Sequence, residues 1–120
     1  MPKISNYETT EFIKSLAPFS NKTGKFYSTL DSSGYKIWSY YTCLAQYSDG
    51  VWYLNNRGYS MVTGRHQYFI RKALRELGVD TINNAINFEK LPYGVLDLEY
   101  IALKRGPIMA SRIERIKKGK

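Results

Sequence analysis

Cysteine and histidine are almost missing from this chain: Cys43 and His66 are the only ones among 120 residues. A lone cysteine cannot close an internal disulfide, and one Cys with one His falls far short of a structural zinc set. Long apolar runs are missing too. No stretch approaches the roughly 20 residues that span a bilayer, and "MPKISNYETTEF" has no apolar core of signal-peptide length. With nothing pointing to secretion, the chain reads as cytoplasmic and the sequon Asn21-Lys22-Thr23 as chance. There is no Pro/Gly linker, internal repeat or low-complexity tract. No glycine-rich phosphate loop occurs, because "NNRGYSMVTGR" lacks both the spacing and the Lys-Ser/Thr pair. Acids are the minority charge, 10 against 18 basic residues, so the chain does not imitate the polyanionic surface of DNA.

The apolar fraction of 43% and charged fraction of 23% are those of an ordinary folded protein. The length suits one modest core. Eleven tyrosines are many for this length, and tyrosine suits half-exposed sheets and contact surfaces. The net charge of +8 is uneven. Residues 1–103 carry a net +2, and residues 104–120 carry a net +6 from Lys104, Arg105, Arg112, Arg115, Lys117, Lys118 and Lys120 against Glu114. A concentrated basic segment attracts polyanions over a Debye length, about 8–10 Å in ordinary salt. A solvated tail that aids solubility is the plainer alternative.

"YETTEFIKSL", residues 7–16, predicts a short helix with Tyr7, Phe12, Ile13 and Leu16 on one face. "KTGKFYSTL" predicts a strand, and "DSSG", residues 31–34, a turn. The longest β signal runs from Tyr35 to Tyr47. Asp49-Gly50 then marks a two-residue hairpin pairing Ser48 with Val51, Tyr47 with Trp52, Gln46 with Tyr53 and Ala45 with Leu54. A period of two puts Tyr41, Cys43, Ala45, Tyr47, Trp52 and Leu54 on the face expected to meet a helix. Trp38, Tyr40, Thr42, Leu44, Gln46 and Tyr53 fall on the other. After the "NNRG" turn, Tyr59–Val62 reads as a returning strand. Thr63 is then the expected N-cap of the clearest helix, Gly64–Leu77, closed by Gly78. Phe69, Ile70, Ala73, Leu74 and Leu77 form its apolar stripe, which His66 extends by a turn. "DTINNAINFEKL", residues 80–91, is weakly helical, and "LPYG", residues 91–94, breaks the chain. Residues 95–103 are ambiguous, with a lean to strand. Pro107 opens a final helix with Met109, Ile113 and Ile116 along one side.

The pattern predicts an α+β fold: a small antiparallel sheet of three or four strands, a central amphipathic helix packed on one face, and short terminal helices. Residues 1–103 form the domain, and 104–120 a basic C-terminal helix or arm. Several constellations have a structural reading and a chemical one. Cys43 and His66 could pair as nucleophile and base only if the fold joins them, and a buried thiol with a packed imidazole is the simpler account. Asp97 and Glu99 could serve as paired acids or merely face solvent. Thr63-Gly64-Arg65 at a helix start could hold a single anion. Exposed aromatics flanked by cations favour nucleic acid: Trp38, Tyr40, Tyr53 and Tyr68 as a stacking surface, and Arg57, Arg65, Arg71, Lys72 and Arg75 on phosphates. Lys104, Arg105, Arg112, Arg115, Lys117 and Lys118 would extend that set. If helices cover both sheet faces, Trp38 and Tyr40 become a second core layer instead.

Residues 39–74 also carry Ser39, Tyr40, Thr42, Leu44 and Ala45, a turn at Gly50, then Tyr59, Ser60, Thr63 and His66. This pattern resembles a segment of small bacteriophage proteins of unassigned function and covers about a third of the chain. The resemblance implies a viral accessory protein in the cytoplasm of an infected bacterium. Together the readings favour a non-enzymatic, cofactor-free protein that associates with nucleic acid. The alternative is an inhibitor or adaptor, such as an anti-defence protein of anti-CRISPR type, that binds a host protein. No membrane association and no metal are expected.

Overall fold

The computed structural model describes residues 3–83 and 97–119. Strands β1 (Lys3–Ile4), β2 (Ser20–Asn21), β3 (Phe26–Asp31), β4 (Gly34–Ser39), β5 (Thr42–Ser48), β6 (Val51–Leu54) and β7 (Thr81–Ile82) join into one sheet in chain order. Helices α1 (Thr9–Lys14) and α2 (Met61–Leu77) pack on one face, and α3 (Leu98–Leu103) and α4 (Pro107–Lys118) on the other. The α+β class stands, but the expected sheet of three or four antiparallel strands is replaced by seven strands in a mixed arrangement. The four-strand meander β3–β6 is antiparallel, whereas β1 pairs with β2 and β6 with β7 in parallel. The three added strands have two residues each, too short to show a period of two.

The β5–β6 hairpin has the expected register at all four pairs, from Ser48–Val51 to Ala45–Leu54. Asp49 (φ 51°) and Gly50 (φ 83°) supply the left-handed pair that a tight hairpin turn requires. Three other expectations fail. Residues 35–47 are two strands, because Tyr40 and Tyr41 turn the chain between Ser39 and Thr42 without any Gly, Asn or Asp. The turn is held by the Tyr40 amide donating to the Lys25 carbonyl at 2.8 Å and by the Tyr27 hydroxyl donating to the Tyr40 carbonyl at 2.8 Å. Gly34 is required at the preceding turn, since its φ is 120° and a Cβ there would run into the Tyr47 carbonyl.

The second failure concerns the two faces of β5. Ile37 pairs with Ala45 but Trp38 with Cys43, so Leu44 has no partner and forms a β-bulge. The bulge sends Leu44 and Ala45 together to the α2 side and Cys43 to the α3/α4 side, reversing the expected places of Cys43 and Leu44. Ala45, Tyr47, Trp52 and Leu54 do face α2 as the alternation indicates. Third, Tyr59–Val62 is not a strand. Ser60, with extended ψ of 166°, is the N-cap of a helix that begins at Met61, and its hydroxyl accepts from the Thr63 amide at 3.4 Å. Gly78 closes α2 in the left-handed conformation as expected (φ 67°), its amide reaching the Leu74 and Arg75 carbonyls.

Residues 98–103, given a lean towards strand, are helix α3. Asp97 caps it by accepting from the Tyr100 amide at 3.1 Å. Gln46, buried in β5, completes the start by donating to Asp97 at 3.1 Å and accepting from the Leu98 amide at 2.6 Å. The readings for residues 84–96, including the weak helix, the "LPYG" break and the start of the 95–103 segment, lie outside the described residues. Pro107 opens α4, and Ile113 is buried, with Met109 and Ile116 packed beside it. Residues 107–118 therefore close the second core over Cys43, Val51, Tyr53 and Ile82.

This arrangement predicts the outcome of shortening the chain. Ile113→Ala should cost about 2–5 kcal/mol in chemical denaturation, the usual range for a large-to-small change in a core. Removing residues 104–120 should abolish the cooperative transition, because it uncovers the second core.

Candidate nucleic-acid interface

The apolar stripe of α2 is buried at His66, Phe69, Ile70, Ala73 and Leu74, which turns Arg65, Tyr68, Arg71, Lys72 and Arg75 outward. These side chains do not share one electrostatic state. Lys72 pairs with Glu76 at 2.7 Å, and Glu76 also binds Lys14 at 2.8 Å, which in turn reaches Glu11 at 2.9 Å. Hydrogen bonds from Lys14 and then Lys72 hold the Glu76 carboxyl down to about 2. Two lysines and two glutamates thus neutralise one flank. Arg65, Arg71 and Arg75 have no carboxylate partner among the described residues and retain their full charge. Tyr68 lies between them, half exposed, and meets the edge of Phe69 at 5.3 Å between ring centres. Tyr7 meets Phe69 at the same separation and is 81% exposed, a second surface ring.

The other basic residues are divided in their use. Lys117 is bound to Glu99 at 2.8 Å and lies 3.9 Å from Asp49, which raises its pKa. Lys104 sits over the Tyr100 ring at 4.8 Å. Arg112 donates to the Thr81 carbonyl of β7 at 3.3 Å. Arg57, Arg105, Arg115 and Lys118 are exposed. Since α2 and α4 lie on opposite faces, their cations do not form one surface. Beside β7 a cleft of about 250 Å³ is lined by Arg71, Arg75, Thr81, Asn83, Leu54 and Leu74. Arg112 reaches the same edge from the far face.

The proposed aromatic platform is not assembled. Tyr53 is 0% exposed beneath α3 and α4, closed to any base. Trp38 is half buried against the same core, stacks on Tyr27 and donates to the Thr29 hydroxyl at 3.1 Å. Tyr40 is at the β4–β5 turn and 42% exposed. The cause is the cover over the second face. The most exposed aromatic among the described residues, Tyr41 at 91%, falls on the core face by alternation, which cannot register a turn.

Cys43 and His66 belong to different cores on opposite faces, so they form no catalytic pair. Burial pushes the Cys43 thiol up to about 12, leaving it protonated. His66 is buried against Phe26, its ring stacked at 4.4 Å, with Nδ1 2.7 Å from the Ser39 hydroxyl. Ser39 also reaches the Thr63 hydroxyl at 3.1 Å, tying the β4–β5 turn to the first turn of α2. The anion site at Thr63-Gly64-Arg65 does not form, because Ser60 takes both the Thr63 and Gly64 amides. Asp97 and Glu99 serve as cap and ion-pair partner. Asn21 is buried and its amide is bonded to Asn6, which closes the sequon to a glycan. Among the described residues no helix is long and apolar enough to cross a membrane.

Compared with family models, curated proteins and solved structures, the chain matches none.

Burial, followed by the nearby Arg65 charge, lowers the His66 pKa to about 4 from its ordinary 6.5. Between these values the unfolded chain binds more protons than the folded one. The contribution of His66 is therefore complete above pH 6.5 and lost as pH falls towards 4. Denaturation midpoints should fall across that window, and His66→Gln should flatten the upper part, above the range where carboxylates titrate. An unchanged slope in the variant would remove His66 as the cause.

Proposed function

We propose that this chain is a non-enzymatic, phage-type accessory protein that associates with nucleic acid, the exposed face of α2 forming the main contact. The observation that carries the reading is that Arg65, Arg71 and Arg75 stand exposed on one helix face without a carboxylate partner among the described residues. Guanidinium is the side chain best matched to phosphate oxygens, because its planar fork donates two hydrogen bonds at once. Tyr68 adds a ring among these charges. The cleft beside β7 gives the backbone a route from Arg71 and Arg75 to Arg112, and from there to Arg115 and Lys118 on α4. The setting we infer is the cytoplasm of an infected bacterium.

An inhibitor or adaptor for a host protein is the second reading. Ile108 (88% exposed), Tyr100 (52%) and Leu103 (42%) favour it, as apolar groups left outside around the α3–α4 junction. Such a complex would be stable in high salt, whereas phosphate contacts would not.

Binding to a labelled oligonucleotide, followed by anisotropy over a salt series, separates these readings. Wild type should lose affinity linearly in log salt. The double variant Arg71→Ala/Arg75→Ala should reduce the slope by about 1.4–1.8, from roughly 0.7–0.9 per phosphate contact. Lys72→Ala, whose charge is engaged with Glu76, should change it less. Absence of binding at low salt to single- and double-stranded DNA and RNA would eliminate the nucleic-acid reading.

A further inference from the structure

We propose that the Tyr40–Tyr41 turn is a base-stacking element that gives this protein a preference for single-stranded nucleic acid; this rests on the nucleic-acid reading and names its missing aromatic contact. Three observations meet at the turn. The first is exposure. Tyr41 is 91% and Tyr40 42% exposed, and Met61 (84%) and Val62 (49%) open α2 beside them. Tyr41 and Met61 stand almost wholly outside both cores.

The second is backbone strain. Tyr40 holds a φ of 56°, in the left-handed region that glycine or asparagine occupies readily and a bulky residue does not. Its carbonyl accepts from the Tyr27 hydroxyl and its amide donates to the Lys25 carbonyl, so only the backbone of Tyr40 is engaged and any residue there would make the same two hydrogen bonds. Neither of these hydrogen bonds therefore needs a ring at Tyr40. A bulky, part-exposed residue held in a strained conformation points to a contact.

The third is charge and rigidity. The Lys25 ammonium lies 5.7 Å from the centre of the Tyr40 ring, and Arg65 lies one helical turn beyond Met61. The Ser39–Thr63 and Ser39–His66 hydrogen bonds, at 3.1 and 2.7 Å, lock the turn to α2. The tyrosines are thus held at one end of a strip that continues through Met61, Arg65, Tyr68 and Arg75, about 20 Å long at 1.5 Å per helical residue. Flat rings beside unpaired guanidinium groups match unstacked bases on a phosphate backbone. A duplex, whose bases face each other, offers that strip its phosphates only.

The probe is a labelled oligo(dT) of twelve nucleotides, compared with a duplex of equal length, against full-length protein. Tyr40→Asn, which suits the left-handed backbone, and Tyr41→Ser should both leave the melting temperature unchanged or higher. Together they should weaken oligo(dT) binding by roughly ten- to a hundredfold, the usual cost of losing aromatic stacking. Duplex binding and both salt slopes should stay as in wild type. Equal loss on both ligands, or no loss from the folded double variant, overturns the stacking assignment while leaving the phosphate contact of α2 in place. The second of those results is also the one expected if the turn docks on a protein. Absence of binding by wild type to either ligand overturns both readings.

Discussion

The bulge at Leu44 is the constraint on which the rest of this molecule depends. β5 is central in the sheet and has helices over both faces, so its side chains must fill two cores. Strict alternation would send Leu44 to the α3/α4 side and Cys43 to the α2 side. With one unpaired residue, the strand puts Leu44 and Ala45 under α2 and the small Cys43 against Leu98, Ala102 and Ile113. Beyond the bulge Gln46 resumes the alternation on the second face. There its buried amide fixes the start of α3, so the strand that sets both cores also positions the helix that closes one of them. Leaving such a buried amide unpaired costs about 1–3 kcal/mol, which makes its bonds to Asp97, the Leu98 amide and the Ser33 carbonyl part of the fold.

Closure of both faces decides where a partner could bind. A sheet open on one side would present Trp38 and Tyr53 as a platform. A covered sheet leaves the outer faces of helices, the turns and the strand edges. On those surfaces some cations are already engaged: Lys14, Lys72 and Lys117 meet Glu11, Glu76, Glu99 and Asp49. Arg65, Arg71 and Arg75 enter none of these pairs. A formal charge of +8 therefore overstates how uniformly basic the surface is. What matters is which positive groups are already neutralised and how the others are arranged: on α2, Arg65, Arg71 and Arg75 share one exposed helix face.

Local chemistry was legible in the sequence, and competition between similar signals was not. Asp49-Gly50 specified its turn and register because few residue pairs accept two positive φ values. The stripe from His66 to Leu74 and the Pro107 start likewise depend on nearby residues. The bulge has no such marker, since Cys43, Leu44 and Ala45 are all small or apolar and fit either face. Tyr40 and Tyr41 are strong strand formers placed in a turn in which the Tyr40 amide donates to the Lys25 carbonyl and its carbonyl accepts from the Tyr27 hydroxyl. Ser60 and Thr63 are both good N-caps, and the outcome turned on Ser39, which engages the Thr63 hydroxyl from across the sheet. Of the interface, Arg65, Tyr68, Arg71 and Arg75 were recoverable from helical spacing. Tyr7 and Tyr41 were not, because exposure there depends on contacts distant in sequence.

The last link is mechanical. Ser39 ends the strand that leads into the Tyr40–Tyr41 turn, and its hydroxyl bonds both His66 and Thr63 in the opening turns of α2. A hydroxyl shared between two buried partners permits little sliding, since moving the turn would strand Ser39, Thr63 and His66 together in an apolar setting beside Phe26. The exposed tyrosines and the arginine face are therefore parts of one rigid body, although 20 or more residues separate them in the chain. Preorganisation of this kind would lower the entropy lost on the proposed binding, because both sets of contacts would form on a surface already in place. The burial that keeps His66 neutral is what suits it to this role.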